Sequence, residues 1–173
     1  MRTIGVSIAV PEPWGSRLQD FRVTNGDGQG SSIPTHITLV PPLEVAEDRL
    51  VDVGHHLAQV ARGSASYRIH LRGSGTFRPV SPVVFVNLVE GISQTEQLAH
   101  DCRRGPLALD LKYPYHPHVT VAHHLDEPRL DRAFEELGDF DCAFSVTEFH
   151  LYVHDADQGW KATHDFALTG PGS

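Results

Sequence analysis

Several things are scarce in this chain, and each scarcity excludes something. Its 173 residues include only two cysteines, one methionine and two tryptophans. Cys102 and Cys142 are too few for a disulfide framework and too far apart for a thiolate zinc site, so two reduced, buried thiols are expected. Long apolar runs are missing too: the longest, residues 4–10 and 82–89, fall far short of the roughly 20 residues that span a bilayer. The opening Met1-Arg2-Thr3-Ile4 lacks the apolar core and cleavage site of a secretory signal. A cytoplasmic protein without membrane association is expected. Positive charge is the last scarcity, with 14 Lys and Arg against 22 Asp and Glu and a formal charge of -8. Long nucleic acid is gripped through its phosphates by Lys and Arg, so a nucleotide-like partner should be small or held only at its end.

What is present suits one soluble domain: 40% hydrophobic and 21% charged residues, in a chain long enough to bury a sizeable core. Histidine is abundant, at 12 residues. Two of them open a repeated tripeptide, His36-Ile37-Thr38 and His118-Val119-Thr120. In a strand, residues i and i+2 share a face, so each copy presents an imidazole beside a hydroxyl and turns an apolar residue inward. One His-x-Thr is close to background for this composition. The matched flanks carry the weight: Pro34-Thr35-His36-Ile37-Thr38-Leu39-Val40 and Pro117-His118-Val119-Thr120-Val121-Ala122 share a proline, the His, a β-branched residue, the Thr and two further apolar residues.

Hydrophobic periodicity predicts a strand at 4–10, a helix at 14–23 and a glycine-containing loop at 24–32. A motif strand at 33–40 is stopped by Pro41-Pro42, and a helix follows at 46–61 with Leu50, Val53, Leu57 and Val60 inward. Strands at 67–71 and 82–89 flank a Gly- and Pro-containing stretch. Ser93 and Glu96 form a capping box for a helix at 94–104. A loop at 107–117 delivers the second motif strand, 118–122. A helix at 128–137, with Leu130, Phe134 and Leu137 inward, precedes strands at 143–153 and 160–168. Each half thus runs loop, motif strand, helix and two strands, with the histidines 82 positions apart. This reads as an internal duplication within a single domain spanning residues 1–173. The expected fold is α+β, with two pseudo-symmetric lobes of largely antiparallel strands, flanking helices and a groove between the lobes.

The paired motifs resemble those of the 2H phosphoesterases, also called the 2′-5′ RNA ligase or cyclic phosphodiesterase superfamily. The resemblance covers nearly the whole chain, including Thr76-Phe77-Arg78-Pro79 and the strand after it. It implies a phosphodiesterase without a metal or other cofactor, in which His36 and His118 are acid and base and Thr38 and Thr120 hold the phosphate oxygens. Histidine suits that task because its unperturbed pKa of about 6.5 lets it give or take a proton near neutrality. His118 is assigned as base and His36 as acid, although the near-symmetry allows the reverse. One departure stands out. Many members carry an arginine shortly after the second motif, where this chain has Ala122-His123-His124, which weakens RNA joining more than simple hydrolysis.

Phe77 could stack on a base, or belong to the core; Arg78 could pair with a phosphate, and His123 is a further candidate contact. His116, His118 and His123 lack a recognised metal-ligand spacing, and no metal is expected. The glycines at 26–30 lack a phosphate-loop ending and are read as a flexible connection. The preferred reading is hydrolysis of a 2′,3′-cyclic phosphate on a nucleotide or RNA end by a monomer. The alternatives are an RNA end-joining ligase and a non-catalytic nucleotide- or RNA-end-binding module.

Overall fold

A computed structural model describes residues 1–28, 30 and 34–172. The elements run β1 (Arg2–Ala9), α1 (Trp14–Thr24), β2 (His36–Val45), α2 (Leu50–Arg62), β3 (Tyr67–Thr76), β4 (Val83–Glu90), α3 (Ile92–Cys102), β5 (His118–His123), α4 (Glu127–Glu136), β6 (Asp141–Val146), β7 (Glu148–Asp155) and β8 (Gly159–Ala167). The eight strands form one antiparallel sheet in the order β6-β3-β4-β5-β2-β1-β7-β8. The fold is α+β, as expected. The two expected sheets are joined edge to edge, but at a single residue pair, Ile37 opposite Val119. On either side of that pair lie two four-stranded groups, each with a His-x-Thr strand at its inner edge.

Alternation along the strands decides which face is buried. Ile4, Val6 and Ile8 of β1, Ile37 and Leu39 of β2, Val119 and Val121 of β5, and Phe149 and Leu151 of β7 all enter the core. The helices cover that face, with α1 against β5 and α3 against β2, so the helix before each motif strand packs on the other motif strand. Val53, Leu57 and Ala61 supply the buried stripe of α2. Replacing a fully buried Ile37 with Ala would cost about 2–5 kcal/mol, by lost transfer energy and the cavity left behind. Both cysteines are free and buried.

Several sequence-based expectations need correction. Pro41-Pro42 does not stop β2, which continues to Val45. The pairing slips there, from Val6–Val40 to Ile4–Leu43, so the two prolines sit in a bulge where no ladder N–H is required. The 3-10 turn Glu47–Arg49 comes first, so α2 starts at Leu50 rather than at residue 46. β3 runs on to Thr76, through a register shift between Leu71 and Ser74. Ser93 does not cap α3. Gly91, with φ 88°, turns the chain out of β4 so sharply that the helix begins at Ile92, and an added Cβ at Gly91 would lie 2.5 Å from the Arg68 carbonyl oxygen. Residues 143–153 are two strands, not one, broken at Thr147, and Phe134 of α4 is exposed while Leu130 and Ala133 are buried. Gln29, Ser31, Ser32 and Ile33, part of the expected loop and strand start, lie outside the described residues.

Candidate active site

The single pair between β2 and β5 dictates the geometry of the groove. With Ile37 opposite Val119 and both buried, their flanking residues all project from the opposite face. Continuing the antiparallel register sets His36 across from Thr120 and Thr38 across from His118. Imidazoles and hydroxyls therefore alternate around a four-cornered patch, with like groups on the diagonals. The four side chains are half-buried, and neither threonine hydroxyl has a hydrogen-bond partner among the described residues.

Side chains keep the two strands from zipping further. The Tyr115 hydroxyl donates to the Thr38 carbonyl at 2.6 Å, and Arg103 donates to the Leu39 carbonyl at 3.4 Å while its guanidinium sits 4.9 Å from the Tyr115 ring centre. These carbonyls would otherwise need a facing strand. A polar wedge from residues 108–117 and the end of α3 thus takes the place of ladder bonds.

Both histidines are oriented by the same local bond. His36 Nδ1 lies 2.6 Å from the Pro34 carbonyl oxygen, and His118 Nδ1 lies 2.6 Å from that of His116. A carbonyl oxygen can only accept, so each Nδ1 carries the proton and donates it. Each Nε2 is thereby left as the basic nitrogen of the neutral ring. Burial lowers the pKa of both: His36 falls below its ordinary 6.5, with the carbonyl bond opposing the fall and the Arg22 charge adding to it. His118 is lowered to about 4 by burial, against the carbonyl bond and with help from the nearby His116 and His36. At neutral pH both imidazoles are neutral.

The other sequence candidates are placed unevenly. Phe77 does stand at the site, its ring 5.0 Å from His118 and nearly perpendicular to it, within a cluster with Phe85 and His116. It shields His118 with its edge-on packing. Arg78 is turned towards α4, where its guanidinium is shared by Glu127 at 2.9 Å and Asp131 at 2.8 Å. His123 lies at the far end of β5, paired with Val83, its ring 3.7 Å from that of His124. Its pKa is lowered by burial first, then by the His124 charge, with the Asp27 carboxylate opposing. Among the described residues no group of three or more histidine, cysteine or acidic side chains is arranged to hold a metal ion.

Sequence reasoning missed three contributors. Tyr115 wedges the strands, and nothing in its sequence context signals that. Arg22, on α1, is buried with Asp27 in an ion pair of 2.7 Å and places a fixed cation near both His36 and His123. The third is an open cleft beside His36, lined by Gly5, Ser7, Val40, Pro42, Tyr152 and Trp160 among others. The alternation of Gly5, Ser7 and Ala9 in the first strand was a legible sign of a strand face kept bare.

Two histidines and two hydroxyls facing each other across a split antiparallel sheet form the arrangement that the paired motifs of the two-histidine phosphoesterases imply. The sequence model of the 2′-5′ RNA ligase superfamily matches residues 10–158, and the chain belongs to that family. A protein of Bacillus cytotoxicus named "Putative phosphoesterase" is 28% identical over 143 residues, covering 82% of each chain. A protein of the same description from Oceanobacillus iheyensis is 26% identical, over 82% of this chain and 84% of its own. Among solved structures, TT0787 of Thermus thermophilus superposes with a TM-score of 0.70 at 23% identity, over 99% of this chain and 100% of its own. E. coli LigT complexed with 3′-AMP does so with 0.67 at 19%, over 97% and 98%. These likenesses support the fold. No helix among the described residues is long and apolar enough to cross a membrane.

Proposed function

We propose that the protein is a phosphodiesterase that opens a 2′,3′-cyclic phosphate on a nucleotide or RNA end, with His36 and His118 as acid and base. The observation that carries this reading is the matched pair of Nδ1–H to carbonyl bonds, which fixes both tautomers and leaves both Nε2 atoms for chemistry. Small nucleotides are favoured as ligands by the chain's formal charge of -8 and by the nucleotide complexes of E. coli LigT.

In the proposed reaction, His118 Nε2 takes a proton from water as its oxygen attacks phosphorus. The bond from phosphorus to one ribose oxygen breaks, and His36, as imidazolium, protonates that oxygen through Nε2. A phosphate monoester leaves, and the proton gained by His118 is returned to His36 through solvent. Thr38 and Thr120 donate hydrogen bonds to the non-bridging oxygens, where negative charge concentrates in the transition state. An anionic phosphate beside His36 offsets the burial that disfavours its charged form, so the ligand itself raises the acid's pKa. The chain forms a single domain built by duplication and works as a monomer in the cytoplasm, without a metal.

Hydrolysis is preferred over end joining because, among the described residues, no lysine or arginine lines the cleft beside His36, while Arg78 is held by α4. Incubating the protein with the four nucleoside 2′,3′-cyclic phosphates, and separately with matched RNA ends bearing a 2′,3′-cyclic phosphate and a 5′-hydroxyl, and following phosphorus by NMR tests the reading. Conversion to one monophosphate isomer is the expected result; joining of RNA ends without conversion would replace it by ligation, and binding without turnover by a recognition module.

A further inference from the structure

Among the described residues only three arginines are withdrawn from solvent: Arg22, Arg78 and Arg103. Arg22 and Arg78 are held by carboxylates. Arg103, directly after α3, has no carboxylate partner among the described residues; it donates to the Leu39 carbonyl at 3.4 Å and lies 4.9 Å from the centre of the Tyr115 ring. A half-buried guanidinium without a counter-ion costs desolvation energy. The ring face offsets part of that cost, and the cation in return draws electron density from the phenol and strengthens its O–H as a donor. That O–H is the group that meets the Thr38 carbonyl at 2.6 Å. Burial keeps the Tyr115 hydroxyl protonated well above its ordinary range, with the Arg103 charge opposing, so it stays a donor at any working pH.

Thr38 carries one of the two hydroxyls that face the groove. On one edge of β2 it pairs with Ser7 of β1, and Tyr115 takes its carbonyl from the side of the split. Tyr115 stands three positions before His118 and next to His116, whose carbonyl orients the His118 ring. The segment Tyr115-His116-Pro117-His118 therefore fixes a ring on β5 and a backbone carbonyl on β2 at once. The first motif has no such reach. There Pro34 takes the place of His116, the Thr35 hydroxyl donates at 2.6 Å to the Gly15 carbonyl in its own half of the chain, and the residue three before His36 is an isoleucine, which has no hydroxyl to offer. Thr120 is placed instead by its pairing with Phe85 of β4.

The geometry points to Tyr115 and Arg103 as positioning residues for Thr38, a one-sided clamp across the split that holds the Thr38 hydroxyl at a fixed separation from His118. The reaction is that of the phosphodiesterase reading, on which this inference rests. Losing the clamp leaves the histidines and both hydroxyls in the protein but lets one phosphate donor wander, so turnover suffers more than binding.

Tyr115→Phe removes only the hydroxyl. It is expected to lower kcat on adenosine 2′,3′-cyclic phosphate by about tenfold to a hundredfold, the scale of a misplaced group, with KM changed less and both limbs of the pH profile in place. Two double-mutant cycles separate positioning from general loosening. Beside Thr38→Val, Tyr115→Phe should cost less than about twofold more, because the hydroxyl it places is already gone; beside Thr120→Val it should cost its full factor. Arg103→Met should lower kcat by a smaller factor and add nothing beside Tyr115→Phe. Equal losses in both threonine backgrounds, or full activity of both Tyr115→Phe and Arg103→Met, would overturn the clamp and leave the reaction standing. A wild type that binds adenosine 3′-monophosphate without turnover would remove the phosphodiesterase reading, and the same cycles read in Kd would then decide the clamp: coupling to Thr38 alone supports it, and equal effects in both backgrounds overturn it.

Discussion

His36 and His118 make the same bond, Nδ1–H to the carbonyl two residues upstream, yet the surroundings of the two rings differ. His118 is packed by Phe77, Phe85 and His116, with ring centres 5.0–5.9 Å away. His36 opens onto the bare floor of β1 and the cleft under Trp160, with the buried Arg22 guanidinium near enough to lower its pKa. What is alike in the two flanks suits the proposed chemistry, which needs two correctly tautomerised imidazoles. What differs suits recognition. A filled aromatic wall on one side and an empty apolar cleft on the other give a nearly symmetric centre a direction.

The largest effects should come from what the flanks share. Replacing either His36 or His118 with Ala is expected to lower kcat on a 2′,3′-cyclic phosphate by about 10²–10⁴, the usual scale of general acid–base catalysis. The pH profiles of the two variants should differ: His118→Ala loses the acidic limb of the base and His36→Ala the alkaline limb of the acid. Exchange of those limbs would reverse the assignment. Thr38→Val and Thr120→Val should each cost about 10² in kcat, as loss of one oxyanion donor does, read from the same assay.

Smaller effects should separate the flanks. In the free protein both histidines have lowered pKa values, so the bell in kcat/KM should peak below pH 6.5, and that in kcat, with phosphate bound, should move upward. Phe77→Ala opens the wall over His118, so an NMR titration should find the pKa of that ring raised from about 4 toward 6.5 while His36 changes less. The same shift governs stability. A histidine with a folded pKa below its unfolded value adds nothing above pH 6.5, where both states are neutral, and destabilises increasingly as pH falls toward 4. His118→Asn should therefore unfold with a flatter dependence on pH across that window, measured by urea denaturation.

The sequence was legible where local pattern and function coincide. The motif strands, their inward Ile37 and Val119, and the four candidate side chains follow from the period of a strand. The helix stripes of α2 and α4 were readable too, because burial at helical spacing needs no knowledge of the partner, though Phe134 shows that an apolar residue on a short helix can still face solvent. Features set by contacts distant in sequence were not readable. Pro41-Pro42 looked like a stop, because a bulge is defined only against the strand beside it. The pairing of Arg78 with Glu127 and Asp131, about fifty positions on, has no local signal either. The joining of β2 and β5 at one pair depends on Tyr115, which reaches Thr38 across 77 positions.

The most direct test of two-histidine chemistry compares the wild-type protein, His36→Ala and His118→Ala on nucleoside 2′,3′-cyclic phosphates, in the presence of EDTA. The account predicts undiminished conversion to a single monophosphate by the wild type and a loss of at least about 10² in rate in each variant. Undiminished turnover in either variant, or wild-type activity that EDTA removes and zinc restores, would contradict it.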